Sequence, residues 1–256
     1  MNRRTFLATT VIAAAATTLD AAEPAAPRCY ELRVYYAAEG KLDALNARFR
    51  DHTCALFTKH GMTNIGYWMP LENPERKLYY ILSFPDRKAR DASFKAFGDD
   101  PAWRKAFAES EKDGKLVAKV ESTFLHTTDF SPELKLEKQD PARVFELRTY
   151  TTSPGNLARL HDRFRKHTVA LFSKHGMQHF GYWALDKDQK GAGDTLVYLL
   201  MHKSKKASEA SFKAFREDPG WVSARDASEK DAGGSLTVKD GVKSVFMAPT
   251  DYSPAQ

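Results

Sequence analysis

The chain has 256 residues, of which 42% are hydrophobic and 28% are charged, and its formal net charge is +6. This composition is typical of a globular protein with one large or two small domains. Basic residues alternate with acidic ones, as in residues 109–113, and form no basic stripe. Nucleic acid is therefore not expected as a partner.

Residues 1–22 have the order of a bacterial export signal. Arg3 and Arg4 precede an uncharged run, and Ala21 and Ala22 supply the small residues typical of a cleavage site. Paired arginines at this place indicate the twin-arginine route, and a mitochondrial presequence is the alternative. The uncharged run is too short for a stop-transfer helix. We expect a periplasmic or secreted protein with no stable membrane insertion after signal removal.

The next part of the chain has a βαββαβ pattern. Alternating residues of high β propensity predict strands, and apolar residues at helical spacing predict helices. Gly61 ends the first helix, and a turn at residues 70–74 joins two strands into a hairpin. The predicted strands are residues 29–36, 62–69, 77–84 and 117–126, and the predicted helices are residues 39–60, 86–97 and a segment that begins at Asp100-Pro101. This order is that of a ferredoxin-like unit.

The same pattern is present a second time. Residues 29–68 align without a gap on residues 144–183, with 22 of 40 positions identical. A period of this length is that of a domain, not of a solenoid repeat. We predict a first repeat at residues 28–128, a polar linker at 129–142 and a second repeat at 143–252.

Each such unit covers one face of its sheet with helices and leaves the other face bare. Two copies in one chain can bury both bare faces against each other. The predicted fold is therefore α+β, with two tandem ferredoxin-like repeats packed sheet to sheet as an intrachain dimeric α/β barrel.

One set of polar residues is present in both copies of the first strand. These residues are Glu31, Arg33 and Tyr35 with their counterparts Glu146, Arg148 and Tyr150. Alternate residues of a strand share a face, and we expect this face to point into the space between the sheets. Two interpretations stay open: an ion pair that holds the sheets in register, or a pocket for an anion or a carbonyl group.

His52 and its counterpart His167 are the candidate catalytic residues. Their spacing from Leu45, Phe49 and Leu56 places them on the apolar stripe of the first helix, facing the sheet. A histidine there is either a hydrogen-bonded core residue or a general base or ligand.

A Gly-Tyr-Trp sequence on the second strand is also duplicated. Its aromatic residues, Tyr67 and Trp68 with Tyr182 and Trp183, are interpreted as pocket lining or as core. The sequence has no CxxC, HExxH, phosphate-loop or Gly-x-Ser-x-Gly motif, so we predict no metal site and no nucleotide-binding or serine hydrolase chemistry.

These features resemble the NIPSNAP family. The resemblance is carried by Glu31-Leu32-Arg33-x-Tyr35, by His52 and Lys59-His60-Gly61, by Gly66-Tyr67-Trp68 and by Asp100-Pro101-x-Trp103, all of which recur in the second copy. It implies the dimeric α/β-barrel fold, whose wider membership includes monooxygenases, haem-binding dismutases and aromatic-compound isomerases. It implies no particular activity, because the family has no agreed catalytic constellation. Eukaryotic members of the family act in mitochondria. The export signal predicted here differs from that location, so we do not expect a mitochondrial role.

The residues support two hypotheses about function. The first is an exported protein that binds a small apolar or aromatic ligand in a barrel pocket lined by the duplicated Glu, Arg, Tyr and Trp residues. The second is an enzyme of monooxygenase, isomerase or haem-dependent type that uses His52 or His167 as base or ligand. No cofactor is identified, and homo-oligomer formation is left open.

Overall fold

The structure is a computed structural model that describes residues 28–256. The predicted export signal lies outside the described residues. Between residues 28 and 256, no helix is both long enough and apolar enough to cross a membrane.

Two βαββαβ repeats follow one another along the chain, as predicted. The first consists of β1 (Cys29–Ala37), α1 (Leu42–Arg48), α2 (Cys54–Lys59), β2 (Thr63–Pro70), β3 (Lys77–Phe84), α3 (Arg87–Asp99), α4 (Pro101–Ser110) and β4 (Val117–Thr127). The second consists of β5 (Val144–Thr152), α5 (Leu157–Arg163), α6 (Val169–Lys174), β6 (Gln178–Leu185), β7 (Thr195–His202), α7 (Lys205–Glu217), α8 (Pro219–Ala232) and β8 (Thr237–Pro249). A π-helical turn joins α1 to α2 (Phe49–Thr53) and another joins α5 to α6 (Phe164–Thr168).

The eight strands form one closed antiparallel barrel in the order β1-β3-β2-β8-β5-β7-β6-β4. The two repeats meet at two seams, where β2 pairs with β8 and β4 pairs with β6. Closure leaves no free sheet edge at these seams. The predicted intrachain α/β barrel is confirmed.

Apolar side chains from both repeats fill the inside of the barrel. The rings of Trp68 and Phe145, which belong to different repeats, have centroids 5.2 Å apart, and those of Tyr30 and Trp183 are 6.0 Å apart. Outside the barrel, each repeat packs its own helices on its sheet through a separate aromatic core. Residues 28–256 therefore form three apolar cores, one of which is shared by the two repeats.

The prediction for the two faces of β1 is wrong. Tyr30 and Val34 lie inside the barrel, whereas Glu31 and Arg33 face the helices and contact Arg90 and Phe94 of α3. The same inversion places Glu146, Arg148 and Tyr150 under the helices of the second repeat. The reason is that both faces of each sheet are buried in this barrel, so alternation identifies two faces without telling which one meets the helices.

Each repeat ends in a short tail that packs on the other repeat. The tails have the sequences TDFSP, at residues 128–132, and TDYSP, at residues 250–254. Ser253 Oγ accepts a hydrogen bond from the backbone N–H of Tyr67 (2.9 Å), and Ser131 Oγ accepts one from the backbone N–H of Tyr182 (3.0 Å).

Charged and aromatic residues strengthen this exchange of tails. Asp251 accepts two hydrogen bonds from Arg50, at 2.7 and 2.8 Å, and Tyr252 joins the helix-side core of the first repeat. Asp129 accepts two from Arg165 in the same way. The start of the predicted linker is therefore part of the fold.

Candidate functional site

The Glu31 carboxylate is fully buried and has four hydrogen bonds. Arg90 donates to it from Nε (2.8 Å) and Nη2 (2.9 Å), Ser122 Oγ donates at 2.6 Å, and Arg33 Nη1 donates as well. Burial raises the pKa of Glu31, but the hydrogen bonds from Arg90 and the charge of Arg33 outweigh burial and lower it. The carboxylate is thus ionised inside the first repeat.

Glu146 has a different set of partners in the second repeat. His202 Nε2 donates at 3.0 Å, Ser208 Oγ at 2.9 Å and Ser244 Oγ at 2.6 Å, in addition to Arg148. Ser208 occupies the position that Arg90 has in the first repeat. Burial raises the pKa of Glu146, but the His202 hydrogen bond and the charge of Arg148 lower it to about 2.

The duplicated arginines use their donors inside the protein. Arg33 Nε donates to Tyr80 Oη (2.8 Å) and Nη2 to Tyr35 Oη (3.3 Å), and Arg148 makes the same bonds to Tyr198 and Tyr150 at 2.9 and 3.2 Å. Together with the hydrogen bonds of Glu31 and Glu146, these contacts form a buried polar network in each repeat, which reaches the helices through Arg90 in the first repeat and through Ser208 in the second. Each Glu and Arg of the duplicated set therefore forms an ion pair, as one of the two interpretations predicted. These pairs lie between sheet and helices and not between the two sheets.

The aromatic residues of the Gly-Tyr-Trp sequences lie on opposite faces of their strands. Tyr67 packs under the helices and donates to Asn64, while Tyr182 Oη lies 2.6 Å from His179 Nδ1. Trp68 and Trp183 are fully buried inside the barrel. Tyr and Trp therefore cannot line one pocket together, which corrects the predicted pocket.

The predicted orientation of His52 and His167 is wrong, because both are exposed. The π-helical turn inserts an extra residue into the helix and changes which residues face the sheet. Thr53 and Thr168 are buried instead, and their hydroxyls donate to the carbonyl groups of Arg48 (3.1 Å) and Arg163 (3.2 Å). A regular helical period does not include this turn and therefore predicts the wrong side of the helix for both histidines.

His60 and His175 belong to a clamp that sequence analysis did not find. Asp100, the N-cap of α4, lies 2.7 Å from both His60 Nε2 and Lys59 Nζ, and its carboxylate accepts from the N–H of Ala102. These hydrogen bonds, that of Lys59 first, hold the pKa of Asp100 well below its usual range. Asp218 makes the same clamp in the second repeat, which accounts for the aspartate of the duplicated Asp-Pro-x-Trp motif.

A pocket with a cavity volume of about 320 Å³ opens where the β2–β8 seam ends. We call it the seam pocket. Its lining combines the turn of the β2–β3 hairpin with β3, β8 and the start of α7: Pro70, Leu71, Glu72, Asn73, Pro74, Glu75, Lys77, Tyr79, Lys205, Ser244, Val245 and Phe246. Tyr79 belongs to the barrel core and Val245 packs against it. The pocket therefore reaches the inside of the molecule. None of the predicted site residues lines it.

The other seam has a longer hairpin loop, residues 186–194, in the corresponding place. The backbone N–H of Asp186 donates to the Phe124 carbonyl (2.9 Å), the Phe124 N–H donates to Gln189 Oε1 (3.1 Å), and Ala192 packs on the barrel core. At the β2–β8 seam, the backbone N–H of Leu71 donates to the Phe246 carbonyl in the same way. Residues 71–76, however, supply no side chain that accepts from the N–H of Phe246 as Gln189 accepts from that of Phe124. The pocket is therefore the consequence of a shorter loop.

The described chain is thus an intrachain α/β barrel of two ferredoxin-like repeats with exchanged tails. It belongs to the NIPSNAP family, whose model matches residues 30–132 and 145–254, and this confirms the resemblance. Among curated proteins, it is 25% identical to Protein NipSnap homolog 3A of Homo sapiens over 229 residues, which cover 88% of this chain and 85% of that protein. The protein of the same name from Pongo abelii matches equally.

Two solved structures with the same fold are less similar to this chain in sequence. A “putative monooxygenase” from Lactobacillus acidophilus has a TM-score of 0.57 at 11% identity, with 88% of this chain and 94% of that chain covered. A “putative chlorite dismutase” has a TM-score of 0.51 at 10% identity, with 89% and 96% covered. At this level of identity the likeness concerns the fold alone.

Proposed function

We propose that the chain is an exported protein that binds a small apolar or aromatic molecule in the seam pocket. The observation that carries this proposal is the difference between the two hairpin loops: residues 186–194 cover the backbone of β4 at Phe124, whereas the shorter loop leaves the corresponding part of β8 at Phe246 open to the seam pocket. A concave, partly apolar cavity of about 300 Å³ or more with a few polar groups is the usual form of a ligand site.

The chemistry of the lining supports a ligand with one polar end. Tyr79 and Phe246 offer ring surfaces, and Lys205 lies with Nζ 5.6 Å from the Phe246 ring centroid. Lys205 also pairs with Glu72 at 3.1 Å, where the Glu72 side chain is largely exposed and that of Lys205 is about half exposed. Aromatic surface favours an apolar body, and the charged pair at the rim provides partners for a polar substituent.

A dye-binding experiment tests the seam pocket. The uncharged probe N-phenyl-1-naphthylamine is expected to bind with increased fluorescence. Replacement of residues 71–76 by the sequence of residues 186–194 fills the pocket and is expected to weaken dye binding at least tenfold. Lys88→Ala, an exposed change on α3, is the control. Equal dye affinity in the loop variant and the parent protein would contradict the proposal.

Export is tested separately with the full-length chain in a bacterial host. Arg3→Lys combined with Arg4→Lys is expected to hold the protein in the cytoplasm, because the twin-arginine pathway recognises the arginine pair. The measurement is an immunoblot of periplasmic and cytoplasmic fractions. A double variant that reaches the periplasm as efficiently as the parent would exclude this route.

The enzyme hypothesis stays a prediction. His52 and His167 are accessible to solvent. A catalytic base or a ligand must be accessible, but accessibility alone does not indicate catalysis. The absorbance spectrum of the purified protein tests the haem-dependent branch, because bound haem absorbs near 400 nm. Activity toward any substrate is expected to fall in His52→Gln or His167→Gln if these residues are catalytic.

A further inference from the structure

A second cavity lies in the second repeat, between α5 with its π-helical turn and α8. Its volume is about 360 Å³, and we call it the helix cleft. Arg159, Arg163, Lys166 and His167 line one side, and Ser228 lies on the other. The helix cleft shares no lining residue with the seam pocket, so a ligand in the cleft is independent of the proposed function.

Arg163 is a buried cation with incomplete partners. Its side chain is 6% exposed, Nη1 donates to Ser228 Oγ at 3.3 Å, and the nearest carboxylate oxygen, Glu229 Oε1, is 3.6 Å away. Nε has no hydrogen-bond partner among the described residues. Burial lowers the pKa of Arg163, because water no longer solvates the charge. An anion that binds close to such a buried cation stabilises its charge.

The first repeat provides an internal comparison. Arg48 occupies the position of Arg163 and also leaves Nε without a partner among the described residues, but its Nη1 donates to Glu111 Oε1 at 3.1 Å and to Ser110 Oγ at 3.2 Å. The Phe107 ring lies 5.2 Å from the Arg48 guanidinium carbon. Both guanidinium groups also stack on a tryptophan, Trp103 or Trp221. The difference between the two arginines is therefore the closer carboxylate partner of Arg48.

The residues around the two arginines differ in charge. Ala44 and Asp51 stand in the first repeat where Arg159 and Lys166 stand in the second, and Glu109 stands where the second repeat has Ala227. Asp162 stands where the first repeat has Ala47, so over these four positions the second repeat has two more cations and one carboxylate fewer than the first. Asp162 and Asp231 also line the cleft, and Asp162 accepts hydrogen bonds from Arg165 and Lys166.

We propose that the helix cleft binds a small oxyanion, either a phosphate or a carboxylate group. Arg163 places its buried positive charge at the base of the cleft. Arg159 and Lys166 attract the anion at the rim, and Ser228 and His167 supply further hydrogen-bonding groups. Guanidinium groups match the geometry of both anion types, and partial burial strengthens the charged hydrogen bonds.

Calorimetric titration of the protein, purified after expression of the full-length chain, tests this site. The probes are inorganic phosphate and sodium acetate, each at constant ionic strength kept with sodium chloride. Saturable binding of at least one probe is expected, and their relative affinities show which anion is preferred. Absence of saturable binding for both probes overturns the proposal.

Variants that copy the first repeat locate the binding. Arg159→Ala combined with Lys166→Asp is expected to weaken affinity at least tenfold, and so is Ala227→Glu, which adds a carboxylate to α8. Lys88→Ala combined with Lys105→Asp changes net charge equally at exposed positions outside the cleft and should leave affinity within twofold. Circular dichroism checks that each variant is folded. Equal affinity in the parent protein and in both cleft variants overturns the proposal.

Discussion

Gly66 and Gly181 lie where the indole rings of Trp68 and Trp183 cross the strand. A Cβ atom on Gly66 would stand 2.2 Å from Trp68 Cζ2, and one on Gly181 would stand 2.5 Å from Trp183 Cη2. Both rings are fully buried in the barrel core. The duplicated Gly-Tyr-Trp sequence is therefore a packing requirement of the barrel interior.

Gly66→Ala is expected to destabilise the protein by about 1–3 kcal/mol, because an added methyl group overpacks the core. Urea unfolding measures the change. Gly98→Ala on α3 is the control: a Cβ atom added there would meet no other atom within 4 Å, and alanine should be neutral or stabilise by up to about 1 kcal/mol. A Gly66→Ala protein as stable as the parent would show that the barrel core can adjust.

Glu146 gives the second repeat a pH dependence. Its pKa is about 2 in the folded protein and about 4.3 in an unfolded chain. A lowered folded pKa stabilises the protein above the unfolded value, and this stabilisation is lost as the pH falls from about 4.5 toward 2. The full contribution is on the order of 3 kcal/mol.

Glu146→Gln removes this titration, so the difference in unfolding free energy between the parent and the variant should shrink as the pH falls from 6 to 3. At pH 6 the variant should be less stable by about 3–5 kcal/mol, because Arg148 stays buried without its partner. Urea unfolding at several pH values measures both effects, with the exposed Glu209→Gln as control. A difference that is independent of pH would contradict the assignment.

At the scale of the elements, the π-helical turns determine what the first helix of each repeat presents to the sheet. Each turn frees a backbone carbonyl, of Arg48 or Arg163, and a buried threonine hydroxyl donates to it. The turn also places the arginine side chain beneath the neighbouring helix and the histidine outside. The helix cleft depends on this arrangement.

Thr168→Val keeps the shape of the side chain and removes the hydroxyl. It should destabilise the protein by about 1–3 kcal/mol, since the Arg163 carbonyl loses a buried partner. Thr168→Ser retains the donor and is expected to recover most of the loss. Thermal unfolding of the three proteins gives the comparison, and equal melting temperatures for the valine and serine variants would argue against a role for the hydroxyl.

For the whole molecule, the exchanged tails join the two repeats beyond their shared barrel. The tail of the second repeat completes the first through Ser253, Asp251 and Tyr252, and residues 128–132 do the same for the second repeat. Each repeat therefore lacks part of its own structure without the other. We expect both to unfold in one cooperative transition.

Deletion of residues 250–256 tests this exchange. The truncated protein should lose amide-exchange protection in α1 and α2 of the first repeat, because the backbone N–H of Tyr67, the Arg50 side chain and the adjacent aromatic core lose their partners. Protection in α5 and α6 should change less. Hydrogen exchange with mass spectrometry resolves the two regions, and loss confined to the second repeat would show that the tails are not exchanged.

The sequence by itself determined the duplication, the βαββαβ order and the barrel. The periodicity of apolar residues is local, and the repeat is found by aligning the chain with itself, so neither requires the tertiary structure. It also contained the TDFSP and TDYSP tails, which a comparison extended past the last strand of each repeat would have found. Only the tertiary structure decided that Glu31 and Arg33 face the helices, that the π-helical turn exposes His52 and His167, and that the shorter hairpin loop leaves the seam pocket open. These outcomes depend on which of two buried faces meets which layer and on how loops of unequal length pack, and no local pattern encodes either.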